Sequence, residues 1–246
     1  MTPLKNAAKH LDRYFENIAG LDQDPADISL GFLVSDSTDE TLRLLTAKLA
    51  EQQHRYRSVT VVEKNFDYAI PGGLQRWSET VQPARRSVLA KSRNHLLFAA
   101  LSDEDWVLWL DVDVWHYPSD VITKMLATGK SIVHPNCVIA KGGRSFDANA
   151  WRDGGKLLMD SMRDRDLVRL DSVGGTMLLI RAEIHRDGLT FPPYPYGVRS
   201  PYARSHNEVA GIGGGEYETE GLALMAKDMG YETWGMPNLE IVHYPE

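Results

Sequence analysis

The chain has 246 residues, enough for one large domain with a substantial core. It is 43% hydrophobic and 25% charged, and its net charge of −7 gives no support for broad nucleic-acid binding. Cys137 is the only cysteine, which excludes an internal disulfide and makes a reducing compartment the simpler setting.

The chain opens without the basic-then-apolar pattern of a signal peptide. No apolar run approaches the roughly 20 residues of a membrane span. The expectation is a soluble, cytoplasmic protein, with peripheral membrane association left open. Leu4, Ala7, Leu11, Phe15 and Ile18 recur at helical spacing and predict a helix over 3–19. Gly20 ends it, and 21–27 reads as a polar linker. Residues 1–27 are therefore an N-terminal helix and linker, and 28–246 the main domain.

Ile28–Val34 reads as a strand. Ser37 and Glu40 fit a capping box, and Leu42, Leu45 and Leu49 continue a helix from there. Val59–Glu63 is a second strand. A turn at Pro71-Gly72-Gly73 leads to a helix over 84–101. Trp106–Leu110 is a third strand. Pro118 opens a helix that Gly129 closes. Ser131–His134 and Thr176–Ile180 are further strands. Residues 189–215, rich in proline and glycine, read as a long loop. Glu218–Met229 is helical, and Glu240–Tyr244 is a last strand. Strands alternating with helices predict an α/β, Rossmann-like single domain with a mostly parallel central sheet. Arg85-Arg86 and Arg163 with Arg165 read as solvated faces.

The strand Trp106–Leu110 runs straight into Asp111 and Asp113. Residues i and i+2 of a strand share a side, which would set these carboxylates roughly 7 Å apart at the strand's carboxyl end. Open α/β sheets bind ligands at that end. Two neighbouring anions repel unless a cation sits between them or one holds a proton. The pair thus points to a Mg²⁺ or Mn²⁺ site for a phosphorylated substrate. The plainer alternative is a strand that ends in polar turn residues.

Five segments together resemble the glycosyltransferase family of the fungal mannan-polymerase α-mannosyltransferases. They are Ile28-Ser-Leu-Gly-Phe-Leu-Val-Ser-Asp-Ser37, Ser92-Arg-Asn-His-Leu-Leu97, Trp106–Val114, Val173–Leu189, and Glu218–Tyr231 running on to Pro237-Asn238 and Ile241-Val-His-Tyr244. They keep the family's order across nearly the whole chain after residue 27. The chain reads as an anchor-less, bacterial-type member. The resemblance implies a GT-A fold, a GDP-mannose donor, a Mn²⁺ cofactor (or Mg²⁺), a glycan or glycolipid acceptor, and transfer with retention of configuration. It leaves homo-oligomerisation open.

The resemblance also implies roles for particular residues. Asp111 and Asp113 would hold the metal, with Asp111 also near the donor, and His243 would complete the metal site; imidazole suits Mn²⁺ better than Mg²⁺. Arg93 and Asn94 would bind the donor, Arg93 through its planar fork on the diphosphate. Ser35 and Asp36, just after the first strand, would contact the nucleotide. Gly174 and Gly175 would line the donor sugar, or simply make a tight turn. Glu218 and Glu220 begin a helix, where acidic residues suit the dipole. By the resemblance one of them faces the reacting sugar, with Glu220 favoured over Glu218. Tyr194, Tyr196, Tyr202 and Tyr217 could stack on sugar rings, although loop packing is the commoner fate. Two other classes stay open. One is an Asp-x-Asp phosphohydrolase with Asp111 as nucleophile, although Val114-Trp115 do not fit that pattern. The other is a non-catalytic partner that binds nucleotide sugar within a complex.

Overall fold

The computed structural model describes residues 1–200 and 214–244. Two sheets carry the fold. The smaller joins β1 (Thr2–Leu4), β2 (Ser29–Val34) and β3 (Ser58–Glu63), all parallel. The larger runs β4 (Trp106–Leu110), β10 (Met177–Arg181), β6 (Ile132–Val138), β11 (Thr233–His243) and β5 (Val114–His116), with β9 (Val168–Leu170) also on β11. β6 and β11 run parallel, and the other pairs of this sheet are antiparallel. The Met1 amine donates to Leu108 O at 2.7 Å and Leu110 N donates to Met1 O at 3.1 Å, so the chain start links the two sheets. A small hairpin, β7 (Trp151–Arg152) and β8 (Leu157–Leu158), completes the strands.

The helix expected over 3–19 starts late, as α1 (Leu11–Ala19). Thr2–Leu4 is a strand instead, paired with Phe32–Val34. Leu4 and Ala7 are still buried, so the apolar positions are inside as expected. Pairing with β2 satisfies the backbone there, and short apolar runs do not reveal by themselves which way that happens. Residues 1–27 therefore share the core of the rest: Leu11, Phe15 and Ile18 pack with Phe32 and Leu45.

The capping box is also not formed. α2 (Thr41–Gln52) begins at Thr41, whose N–H donates to Asp39 Oδ1 at 3.0 Å. Ser37 Oγ instead accepts from Asn6 N at 3.1 Å, and Glu40 pairs with Arg43. α3 (Gln82–Ala100) and α6 (Glu218–Asp228) fall where the periodicity puts them. α4 (Val121–Ala127) and α5 (Ala182–Arg186) are short. β11 is 11 residues long rather than the expected 240–244. Gly235 and Pro237 hide its first half from a strand reading, and a register shift between Met236 and Glu240 accommodates them.

Two apolar clusters form the core. Phe15, Phe32, Met125 and Ile241 belong to one, and Leu96, Trp109, Phe191 and Leu222 to the other. Each fully buried Leu or Phe contributes about 1.5–3 kcal/mol. The carboxyl ends of β1, β2, β3 and β4 open onto one cleft.

Candidate active site

The cleft has a volume of about 950 Å³ and is lined by Ser35, Asp36, Arg93, Asp111, Asp113, Gly175 and Glu218, among others. β4 ends at Leu110, so Asp111 and Asp113 leave from the turn before β5, not from one face of a strand. Val114 N donating to Asp111 O at 3.2 Å closes that turn.

The turn sends the two carboxylates to different partners. Asp111 Oδ1 accepts from Arg93 Nη2 at 3.0 Å. Asp113 Oδ2 lies 3.2 Å from His243 Nε2. The His243 ring is stacked on Phe146, with centroids 3.7 Å apart, and its Nδ1 lies 2.7 Å from Tyr244 O. Burial raises the Asp111 carboxyl to about 7 against the opposing charge of Arg93, and the nearby Asp113, Glu218 and Asp147 push the same way as burial. Burial would raise Asp113 too, but the hydrogen bond and charge of His243 hold it below the usual carboxylate range. Among the described residues no three His, Cys, Asp or Glu side chains are arranged to hold a metal ion.

Arg93 is the hub of the site. It is 3% exposed, and its Nε donates to Glu218 Oε1 at 2.8 Å while its Nη2 reaches both Asp111 and Gly175 O. Its guanidinium carbon lies 5.5 Å from the Trp109 ring and 5.4 Å from the Phe191 ring. Its Nη1 is buried without a hydrogen-bond partner among the described residues. Asn94 is placed differently. Its amide nitrogen donates to Phe191 O at 2.7 Å and its Oδ1 accepts from Phe191 N at 2.9 Å. Both ends of that amide pin the chain before α6, outside the cleft lining.

Glu218 and Glu220 also part company. Glu218 lines the cleft and starts α6 at φ 51°, a left-handed conformation that is costly for this residue and is held in place by its neighbours. Its N–H donates to Pro192 O, and its Oε2 accepts from Thr219 Oγ1. Glu220 lies behind it, accepting from Trp151 Nε1 at 2.8 Å and paired with Arg86 at 2.6 Å. Arg86 is therefore not on a solvated face, and Arg85 beside it lines the cleft. Arg86 and Arg93 are seven positions apart on α3. That is two helical turns, the spacing that could have marked one face with both. Arg163 likewise pairs with Glu240 at 2.8 Å, whereas Arg165 stays exposed.

Ser35 is buried at the cleft wall. Asp36 reaches the cleft too, but its carboxylate accepts the backbone N–H groups of Phe66 and Asp67. The two glycines answer to packed charges. A Cβ on Gly174 would lie 1.9 Å from Asp147 Oδ2, and one on Gly175 would lie 2.4 Å from Arg93 Nη2. Asp147 is a site residue that the sequence reading missed. It accepts from Thr176 N and Oγ1 and lies 3.5 Å from the buried His134 Nε2. Nothing in its local sequence marks it. Of the four tyrosines, Tyr196 donates to Asp228 at 3.0 Å, Tyr194 is exposed, Tyr217 is half-buried with its carbonyl accepting from Arg86 Nη2, and Tyr202 lies outside the described residues.

The family model Anp1 matches residues 1–162 and 154–195. The chain belongs to the Anp1 family. The mannan polymerase complex subunit MNN9 of Candida albicans is 29% identical over 293 residues, covering 100% of this chain and 74% of the relative. The mannan polymerase II complex anp1 subunit of Schizosaccharomyces pombe is 27% identical, covering 99% of this chain and 63% of the relative. These relatives are fungal, which gives no support to the expectation of a bacterial-type member. Among solved structures, the mannosyltransferase PcManGT from Pyrobaculum calidifontis, in complex with GDP-Man and Mn²⁺, has a TM-score of 0.57 at 17% identity over 98% of this chain and 55% of its own. GalNAc-T7 with UDP, GalNAc and Mn²⁺ has a TM-score of 0.58 at 15% identity over 99% of this chain and 43% of its own. The Anp1 chain thus has the α/β fold of the GT-A glycosyltransferases. Among its described residues no helix is long and apolar enough to cross a membrane.

Proposed function

We propose that this Anp1-family chain is a metal-dependent, retaining glycosyltransferase that takes mannose from GDP-mannose and passes it to a glycan or glycolipid acceptor. One observation carries the reading: a single cleft at the strand ends gathers Asp111, Asp113, Arg93 and Glu218. The mannan polymerase names of its relatives and the GDP-Man and Mn²⁺ of a fold neighbour support it.

The donor types are those a divalent cation takes, although the described side chains are paired with Arg93 and His243 rather than gathered on one point. Two carboxylates, those of Asp111 and Glu218, share one buried guanidinium, and a third, that of Asp113, is paired with the imidazole of His243, which adds a nitrogen. Asp111, Asp113 and His243 would hold Mn²⁺. When bound, the ion would offset charge on the departing diphosphate. Arg93 fixes Asp111 and Glu218 relative to each other and sets its positive charge at the cleft wall. Arg85 adds positive charge at the same wall. Glu218 faces the reacting sugar, and Glu220 acts behind it through Arg86. Ser35 and the backbone at Asp36 flank the nucleoside, and Gly175 borders the sugar. Asn94 acts through Phe191.

The test is calorimetric titration of GDP with and without Mn²⁺, followed by product analysis with GDP-mannose and an α-mannoside acceptor. Mn²⁺-dependent binding with transfer is expected. Binding without any turnover would instead mark a nucleotide-sugar-binding subunit, and no binding would remove the reading.

A further inference from the structure

The end of the cleft away from Asp111 carries an unusual feature. β1, β2 and β3 each lead into a non-glycine residue with positive φ: Asn6 at 49°, Asp36 at 47° and Asp67 at 53°. All three line the cleft. Such conformations cost of order 1–3 kcal/mol and persist where the surroundings hold them. Two of the three side chains are occupied. Asn6 Oδ1 accepts from Thr38 N at 2.8 Å, and Asp36 accepts from Phe66 N and Asp67 N. Asp67 differs. Its backbone N–H is fixed from behind by Asp36 at 3.0 Å. Its side chain is exposed, and no group among the described residues hydrogen-bonds its carboxylate. Asn65 Oδ1 accepts from Asp36 N at 2.7 Å, which leaves its amide nitrogen for an acceptor.

We infer that Asp67 reads the base of a guanine nucleotide. The inference rests on the nucleotide-donor reading above, which puts the phosphates at Arg93 and Asp111 and so the base at the opposite end. A carboxylate offers two acceptor oxygens side by side. Guanine presents two donors side by side, N1–H and the exocyclic amino group, with the O6 acceptor next to them. Asp67 takes the donors and the Asn65 amide meets O6. Uracil presents one N–H between two carbonyls, whose lone pairs face the carboxylate. Adenine sets a ring acceptor beside its amino group. Both leave the carboxylate poorly matched, and an unmatched polar group is what rejects a wrong ligand.

The experiment measures dissociation constants for GDP, inosine diphosphate and UDP, each with Mn²⁺, on the wild type and on Asp67→Asn. Asn tolerates left-handed backbone, so this variant keeps the turn while removing the second acceptor. Asp67→Gly, which adopts the conformation freely, serves as a second variant. Melting without nucleotide checks the fold. The wild type should bind GDP at least about tenfold more tightly than inosine diphosphate, which lacks the amino group, and more tightly than UDP. Both variants should lose about tenfold or more for GDP and bring GDP and inosine diphosphate close together. Unchanged GDP affinity in both variants, or a wild-type preference for UDP, overturns the role of Asp67 while leaving nucleotide binding in place. Failure of all three nucleotides to bind the wild type overturns the donor reading and this inference together.

Discussion

Arg93 and Glu218 form a buried ion pair, Nε to Oε1 at 2.8 Å, across 125 positions of sequence. The same guanidinium holds Asp111, so one side chain of α3 ties the turn after β4 to the start of α6. Removing it leaves the buried Glu218 and the half-buried Asp111 without that counter-charge. Arg93→Met should destabilise the fold by about 3–5 kcal/mol in chemical unfolding. Arg93→Lys should recover only part of this, because an ammonium cannot make the fork. A double-mutant cycle with Glu218→Gln should show strong coupling, with the pair of changes costing less than their sum. Additive costs would mean that the contact carries little energy.

Asp111→Ala leaves Arg93 still paired with Glu218, and relieves the like-charge crowding at the turn. It should therefore melt close to wild type while losing Mn²⁺-dependent GDP binding. Asp113→Ala should do the same, with His243 freed from its partner. Calorimetry with and without Mn²⁺ decides the matter. A variant whose GDP affinity keeps its full Mn²⁺ dependence removes that residue from the metal site.

Glu218 and Glu220 should separate by kind of defect. Glu218→Gln should keep GDP binding within a few-fold and lower transfer by roughly 10² or more, the scale of a lost charge or proton acceptor at a reacting centre. Glu220→Gln removes the buried charge opposite the half-buried Arg86 and should cost about 1–3 kcal/mol of stability, with turnover affected less. Steady-state rates beside melting curves test this. The reverse pattern would return the catalytic position to Glu220.

His185 gives a pH dependence whose direction follows from its bonds. Its Nδ1 lies 2.7 Å from Leu189 O, and its Nε2 lies 3.3 Å from the indole Nε1 of Trp109, which has only a proton to give. The neutral ring satisfies both contacts. Burial lowers its pKa to about 4 from 6.5, against the raising effect of the Leu189 carbonyl. The unfolded chain therefore binds the extra proton first as pH falls. The contribution is complete above about pH 6.5 and is lost progressively toward pH 4, for a total of about 3 kcal/mol. His185→Gln should flatten the stability profile between pH 6.5 and 4 in denaturant titrations. A variant with the same slope as wild type would assign that slope to other groups.

The sequence by itself determined the α/β alternation, because long apolar periods leave few ways to bury them. α3, α6 and the strand Trp106–Leu110 stand where their patterns put them. It also singled out Asp111 and Asp113 by their place after a wholly apolar run, and both line the cleft from the turn after β4. Tertiary structure decided what local pattern does not encode. Thr2–Leu4 became a strand because β2 offered its edge, although its apolar spacing also suited a helix. Asn94 and Glu220 carry the right chemistry, but their partners Phe191, Arg86 and Trp151 are distant in sequence and turn them from the cleft. Asp147 entered the site, and Gly174 had to lack a side chain, through a contact across 27 positions that only folding brings together. Charge pairing in the interior is settled by who is nearby when water leaves, and that is a property of the packed chain.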